Sequence, residues 1–274
     1  MVEGEGTLDQ HASVLSEMVQ MKILAISDWH AKENILSNLT DAIKNLSVDA
    51  IVFTGDILQW KAKCSEWAKA KSENRPPDKD KAEIKEEIEK NTCLYHTFYD
   101  NMRKIGLPLF TIPGNVDSPL NQYIEIGWEE MKKNSKLHIV HSSFFDLDKH
   151  FIVTGFGGEI TQQGKEDYFV LQFPRWEVEY GLNFLSNISS TKILLSHTPP
   201  IGTLDSDDGK HKGCKVINDL IQIHRPKWVF CGHAHGARGE EIIGDSIIVN
   251  PGSLKNGFYA LVDTDKEKIE LKTL

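Results

Sequence analysis

The sequence predicts an α/β fold with mixed sheets, and three observations carry that prediction. Short apolar runs ending in polar clusters recur at Lys22–Ser27, Ala50–Thr54, Leu107–Pro113, Phe151–Gly155, Lys192–Ser196 and Trp228–Gly232. Runs of that length suit strands covered on both faces. Helical periodicities lie between them. Ile35, Leu36, Leu39, Ile43 and Leu46 share one face of a helix after the first run, and Ile84, Ile88, Tyr95, Phe98, Met102 and Ile105 share a face of a longer helix before the third. The tail differs: Glu241–Asn250, Gly257–Asp263 and Lys268–Lys272 read as consecutive strands linked by turns such as Asp263-Thr264-Asp265. A strand run after strand–helix alternation favours mixed sheets over one parallel sheet.

The chain of 274 residues, 40% of them apolar, has ample material for one large α/β domain or two small ones. Residues 1–20 read as an N-terminal extension. Glu3, Glu5, Asp9 and Glu17 exclude a secretory signal. Leu8, Ala12, Leu15 and Val19 would suit a short amphipathic helix, and a dispensable extension before Met21 is the other reading. Residues 21–274 then form a single domain with a charged helical insertion at about 61–92. That stretch carries 9 Lys/Arg and 8 Asp/Glu around a Pro76-Pro77 break, which suggests a charged helix, a turn and the start of the long helix. Its net charge of only +1 favours a solvated face over a nucleic-acid contact.

With 31 Lys+Arg against 40 Asp+Glu the formal charge is −9. That argues against binding long nucleic acids or an anionic membrane, both of which need a basic footprint. A phosphate site built on metal ions escapes the exclusion. No apolar run approaches the roughly 20 residues that a bilayer requires. Cys64, Cys93, Cys214 and Cys231 are far apart and form no CxxC pair, so a disulfide framework is not expected and a cytoplasmic location is.

Five motifs fall where apolar runs end. The first run delivers Asp28-Trp29-His30, the second Gly55-Asp56 and the third Gly114-Asn115-Val116-Asp117. His197 follows Ile193-Leu194-Leu195, and Gly232-His233-Ala234-His235 follows Trp228-Val229-Phe230. Ligands of open α/β sheets gather at the carboxyl ends of strands, so these residues are expected to converge. Singly each motif is weak, because a lone strand-end histidine is more often structural than a ligand. Together they supply carboxylates, imidazoles and an amide without thiolate, a set that suits divalent Mn, Fe, Zn, Ni or Co and disfavours an Fe–S cluster. The donors outnumber the places on one tetrahedral ion; a two-metal site accommodates them all.

In this order, Asp-x-His, Gly-Asp, Gly-Asn-x-Asp, His and Gly-His-x-His resemble the calcineurin-like metallophosphoesterase superfamily, over most of the chain from Asp28 to His235. Gly155-Phe156-Gly157-Gly158, Ser196-His197-Thr198-Pro199-Pro200 and Asn250-Pro251-Gly252-Ser253 resemble its small prokaryotic, Icc-like branch, some of whose members cleave cyclic nucleotides. The resemblance implies an α/β/β/α sandwich, two mixed sheets face to face with helices outside and a metal site at the strand C-terminal ends. It implies that Asp28, His30 and His235 hold one divalent ion, that Asn115, His197 and His233 hold a second, and that Asp56 bridges them, with manganese favoured. Such ions, roughly 3.5–4 Å apart, would share a hydroxide that attacks phosphorus in line. Asp117 would orient Asn115 or a neighbouring histidine; a turn or helix-capping role before Ser118-Pro119 is its other reading.

The pattern departs from the family at Val116, where many members carry a histidine that stabilises the transition state or protonates the leaving group. Valine does neither, which favours diesters, or esters with acidic leaving groups, over unactivated monoesters. A substitute is sought in the polar loop Leu204–Cys214, whose His211-x-Gly213-Cys214 resembles a His-x-Gly-Ser element of the Icc-like branch. His211 is therefore a candidate for phosphate contact or for the acid, against a solvated loop histidine. Trp29 reads as core packing or as a base-stacking ring, and Arg238 as a surface residue or a phosphate ligand. Cys231 reads as a small buried residue, and His96, His138, His141, His150 and His224 as structural or exposed. The expected function is hydrolysis of small phosphodiesters, with monoesters as further substrates. Alternatives are a non-catalytic interaction scaffold, disfavoured by the complete ligand set, and a nuclease, disfavoured by the charge.

Overall fold

The core strands of this chain are apolar on both faces, so each must be covered twice, and the layering follows from that demand. The computed structural model describes residues 21–162 and 164–274; the helix or extension expected over 1–20 lies outside the described residues. The first half runs β1 (Lys22–Ile26), α1 (Ile35–Ile43), β2 (Ala50–Phe53), α2 (Ala62–Ser72), α3 (Ala82–Ile105), β3 (Leu109–Thr111), α4 (Leu120–Lys133), β4 (Leu137–Ile139) and β5 (Ser143–Asp146). It continues through β6 (Phe151–Phe156), β7 (Glu159–Thr161), β8 (Gln172–Pro174), α5 (Arg175–Leu182), β9 (Thr191–Ser196), β10 (Ser206–Asp207), β11 (Lys210–His211) and α6 (Lys215–His224). The chain closes with β12 (Trp228–Cys231), β13 (Gly239–Ile243), β14 (Ser246–Asn250), β15 (Phe258–Asp263) and β16 (Lys268–Thr273).

Two six-stranded sheets result, ordered β16-β15-β1-β2-β3-β4 and β13-β14-β12-β9-β6-β5. In the first, β1 to β4 are parallel and β15 and β16 add on antiparallel; in the second, β6, β9, β12 and β14 are parallel between antiparallel edges. Side-chain alternation sorts each strand between two cores. On β1, Ile23 and Ala25 face the core between the sheets, while Leu24 and Ile26 join Leu39 of α1, Phe98 of α3 and Tyr123 of α4. On β9, Ile193 and Leu195 enter the inter-sheet core, and Leu194 meets Val178 of α5 with Ile217 and Leu220 of α6. The expected α/β/β/α sandwich is what this alternation builds. Among the described residues no helix is long and apolar enough to cross a membrane.

Two local readings change. Glu241–Asn250 is not one strand but the hairpin β13–β14, because Gly244, at φ 59°, turns the chain between two apolar runs. Leu46 lies beyond the end of α1 and is 41% exposed. The charged segment 61–92 is helical as expected, yet parts of it face inward. The free amides of Lys61, Ala62 and Lys63 at the start of α2 all donate to the Glu87 carboxylate of α3, which caps the helix from outside its own sequence. Glu66 is buried between Arg75 and Lys81. Lys63 has no exposed surface: its Nζ donates to the carbonyl (3.1 Å) and hydroxyl (3.0 Å) of Ser118 and lies 3.7 Å from the Trp60 ring centre. This segment is therefore docked onto the loop after β3.

Burial pushes the Lys63 ammonium down from 10.5 to about 7. Below the lower value both folded and unfolded chains hold the proton, and the full cost of burying the charge is present. Between about 7 and 10.5 the unfolded chain holds a proton that the folded chain has shed, so stability rises with pH across that window. Denaturant titrations from pH 7 to 10 should show this rise in the wild type and a flatter curve in Lys63→Met. The lost bonds to Ser118 shift the whole curve without changing its slope. Parallel curves for the two proteins would remove Lys63 as the source of the rise.

Candidate metal centre

The site forms where strands of both sheets run out at one edge. β1 and β2 stay zipped beyond their ends, with Asp28 N–H on Gly55 O (2.9 Å) and His30 N–H on Asp56 O (3.1 Å). The second sheet contributes in the same way, with Gly232 N–H on His197 O (3.2 Å). Asp28, His30, Asp56 and His233 all adopt positive φ, between 49° and 64°. For residues other than glycine such a backbone costs about 1–3 kcal/mol each and persists only where the surroundings enforce it. Gly114 is required for close approach: a Cβ there would lie 2.0 Å from Asp56 Oδ1 and 2.3 Å from the Asp56 amide nitrogen.

Four side chains gather first. One donor atom each from Asp28, His30, Asp56 and His235 lies within 4.8 Å of the others. His30 Nε2 is 3.1 Å from His235 Nε2, 3.8 Å from Asp28 Oδ1 and 3.6 Å from Asp56 Oδ2. On the far side of Asp56, the same Oδ2 is 3.5 Å from His197 Nε2, which in turn sits 2.8 Å from Asn115 Oδ1. The His233 ring is 5.0 Å from that of His197, centre to centre, and its backbone N–H donates to Asp28 Oδ2 (3.2 Å). All seven residues singled out by the strand-end motifs thus fall into two adjoining groups about Asp56.

The protonation chemistry shows that these groups fit cations. His30 Nδ1 is 2.9 Å from Leu58 O and His197 Nδ1 is 2.8 Å from Thr54 O. Each Nδ1 must carry a hydrogen to satisfy a carbonyl, so in the neutral ring the lone pair lies on Nε2. Those lone pairs point at carboxylate oxygens, at the Asn115 oxygen and at a second imidazole. A proton on His235 Nε2, 3.2 Å from Asp28 Oδ1, satisfies only part of one group. Acceptors crowded against acceptors are repulsive unless positive charge lies among them, and divalent ions meet every donor at once. Burial opposes the Asp28 carboxylate, but the effects led by its bond to His235 overcome it and hold the carboxyl well below its usual range. Burial above all, with the nearby Lys212, keeps His233 neutral, the form in which imidazole ligates.

Asp117 was expected to orient Asn115 or a histidine. It is fully buried, and its carboxylate instead accepts the backbone N–H groups of Asp56 (2.8 Å), Ile57 (3.0 Å), Leu58 (3.1 Å) and Gly114 (2.8 Å). It therefore locks the loops after β2 and β3 to each other, and it acts on the donors through their backbone. Burial and the neighbouring Asp56 push its carboxyl up, against the pull of those amides. Val116 donates its N–H to Asp56 Oδ1 (3.0 Å), and its carbonyl accepts from Trp60 Nε1.

His211 is not inside this cluster. It lies on the β10–β11 hairpin with its side chain 65% exposed and Nδ1 2.9 Å from Asp205 Oδ1. Trp29 is buried against Phe98, the packing reading, and Arg238 donates to Lys272 O and covers the Phe258 ring. Cys231 is fully buried, and burial pushes its thiol up, which leaves it inert. Sequence reasoning missed three supports. The carbonyls of Thr54 and Leu58 leave no mark in residue identity. Asn250 and Ser253 were seen only as part of a motif, and they tie the site together through Ala234 O and Asp28 O (3.1 and 2.9 Å). Asp205 was passed over as one acid in a polar loop.

Comparison with known proteins agrees with this geometry. The family model described as metallophosphoesterase, calcineurin superfamily, matches residues 16–274. One solved crystal structure is 31% identical with a TM-score of 0.85, covering 93% of this chain and 99% of that one. TT1561 of Thermus thermophilus is 25% identical with a TM-score of 0.73, at 93% and 99% coverage. A Xenorhabdus bovienii protein named a probable cyclic nucleotide phosphodiesterase is 28% identical over 144 residues, 53% of this chain and 55% of that protein. The chain thus spans about half the length of the curated relatives it matches. Two mixed sheets, a buried histidine–carboxylate cluster at their common edge and a family match across nearly all of the described chain lead to one conclusion: this chain belongs to the metallophosphoesterases of the calcineurin superfamily.

Proposed function

We propose that this metallophosphoesterase hydrolyses small phosphodiesters using two divalent cations, one held by Asp28, His30 and His235, the other by Asn115, His197 and His233, with Asp56 shared. The observation that carries the reading is the Asp56 carboxylate, whose Oδ2 stands 3.6 Å from His30 Nε2 and 3.5 Å from His197 Nε2. A carboxylate between imidazole nitrogens of two donor groups is placed as a shared ligand would be. When bound, such cations lower the pKa of a coordinated water toward neutrality and offset the charge on the phosphoryl oxygens. Manganese heads the ions to be tried, since the donors are oxygen and imidazole nitrogen without thiolate.

The chain's own residues prepare that chemistry. Leu58 O and Thr54 O fix the ring orientation and tautomer of His30 and His197. Asp28 stays anionic, and Asp117 keeps the Asp56 and Asn115 loops in register. A diester preference is supported by Val116, which brings no proton to the position where family members place a histidine, and by the name of the Xenorhabdus bovienii relative. The charge of −9 supports small substrates over polymers. His211, whose side chain is exposed and whose Nδ1 is held by Asp205, is the candidate acid for the leaving group through Nε2.

Metal analysis of purified protein should find about two transition-metal ions per chain. Asp56→Asn should lose at least part of that metal and roughly 10³-fold or more in turnover of bis-p-nitrophenyl phosphate. Full metal content with no ester cleavage across Mn, Ni and Zn would sink the enzymatic reading.

Diester specificity has its own check. The diester should be turned over faster than p-nitrophenyl phosphate under the same metal, and a clear monoester preference would overturn that part alone. Asp117→Asn should weaken metal affinity about 10- to 100-fold, as loss of a group behind the ligands does. Titration with manganese would measure this, and wild-type affinity would show that the amide lock is dispensable.

A further inference from the structure

The hairpin β10–β11 rests on the turn that carries His233 and His235, held by three stitches. Asp207 accepts the Gly236 N–H (3.1 Å). Lys212 Nζ is paired with Asp207 (2.6 Å) and reaches His233 O (3.4 Å). The Asn250 amide donates to both Ala234 O (3.1 Å) and Leu204 O (3.4 Å), joining the start of the hairpin loop to the same turn. His211 projects from this fixed hairpin into solvent. An exposed histidine has no need of a partner, yet this one has its Nδ1 on a carboxylate that is itself only 3% exposed. Asp205 is in turn anchored by the N–H groups of Gly202 (3.1 Å) and Gly213, while its own carbonyl accepts from Lys212 N–H (2.9 Å). A buried, doubly anchored carboxylate behind an exposed imidazole fixes both the tautomer and the direction of the ring.

We propose that Asp205 is the positioning residue for His211, holding Nδ1–H so that the protonated ring presents Nε2–H to the leaving oxygen of a phosphodiester. The inference rests on the phosphodiesterase reading and supplies the acid that Val116 does not. In the step, the oxygen of water bonds to phosphorus while the ester P–O bond breaks and its electron pair goes to the leaving oxygen. That oxygen takes the Nε2 proton and departs as the alcohol. His211 is left neutral, with Nδ1–H still on Asp205. The attacking water releases its proton to solvent, and solvent recharges the exposed ring.

The test uses a series of aryl methyl phosphates, from p-nitrophenyl to phenyl, with metal-loaded wild type, His211→Ala, Asp205→Asn and the double variant. Acid catalysis matters more as the leaving group worsens. His211→Ala should therefore lose progressively more turnover along the series, about 10²-fold on the phenyl ester. Asp205→Asn should follow the same trend at roughly 10-fold, and the double variant should be no worse than His211→Ala, because Asp205 acts through the ring. A merely structural Asp205 would give an equal loss on every ester, or a loss that adds to that of His211→Ala; either result overturns the proposal. Should Asp205→Asn fail to fold, Asp205→Glu, with its carboxylate displaced, carries the same expectation. An active wild type with flat variants refutes the dyad alone, whereas a wild type that binds no metal and cleaves no ester refutes the underlying reading and the dyad with it.

Discussion

Asp56 Oδ2 sits between two imidazole nitrogens whose lone pairs are turned toward it, and this arrangement of acceptors facing acceptors is the constraint around which the site is built. Left to themselves such groups would rotate away. They stay because the backbone gives them no choice. Four of the seven donors stand on left-handed backbone, and the loops that carry Asp56 and Asn115 hang on one buried carboxylate, Asp117. The strain is local, and it is offset by the apolar cores on either side of the two sheets and between them. Cation binding would reverse the sign of the local problem, turning mutual repulsion into shared attraction.

The same constraint changes the meaning of the net charge. At −9 the chain looks hostile to phosphates. Two of its acids, Asp28 and Asp56, are buried among imidazoles, placed to act as donors. Two divalent ions, as proposed, would bring more positive charge than those carboxylates remove. The surface stays acidic while the strand-end cluster becomes attractive to a phosphoryl group, so what the charge disfavours is a long polyanion lying across the surface, not a small ester in the site.

Much of this was legible because strands punctuate themselves. Asp28, Asp56, Asn115, His197, His233 and His235 each follow an apolar run closely, and in a sheet whose strands end at one edge that position is already a location. The two-layer sandwich was legible for the same reason, since doubly apolar runs demand cover on both faces. What escaped was contact made by the backbone or across long separations. Thr54 and Leu58 act through carbonyls, which any residue supplies. Asp117 binds four amides from two loops, and its sequence neighbours Ser118-Pro119 pointed to a turn. Lys63 and Glu66 look solvated in a run of charges, and only the packing of α2 on α3 and on the Ser118 loop buries them. The β13–β14 hairpin was read as one strand because isoleucines on both sides of Gly244 masked the turn.

The proposed placement of the leaving-group acid on His211 is consistent with how fully the loop after β3 is committed to structure. Val116 gives its amide to Asp56 and its carbonyl to Trp60, and its side chain packs on the core beneath α1, α3 and α4. Asp117, next to it, has its carboxylate filled by amides. A proton donor there would have to stand at a position whose apolar face is already in use. The hairpin of the second sheet has no such duty: it touches the donor turn through Asp207, Lys212 and Asn250 while leaving the His211 ring in solvent. Exposure is what an acid needs in order to be recharged, and a fixed hairpin is what it needs in order to be aimed. In the proposed dyad the two tasks that a single histidine in the β3 loop would combine are divided, with the aim supplied by Asp205 from beneath the surface and the proton supplied by water from above it.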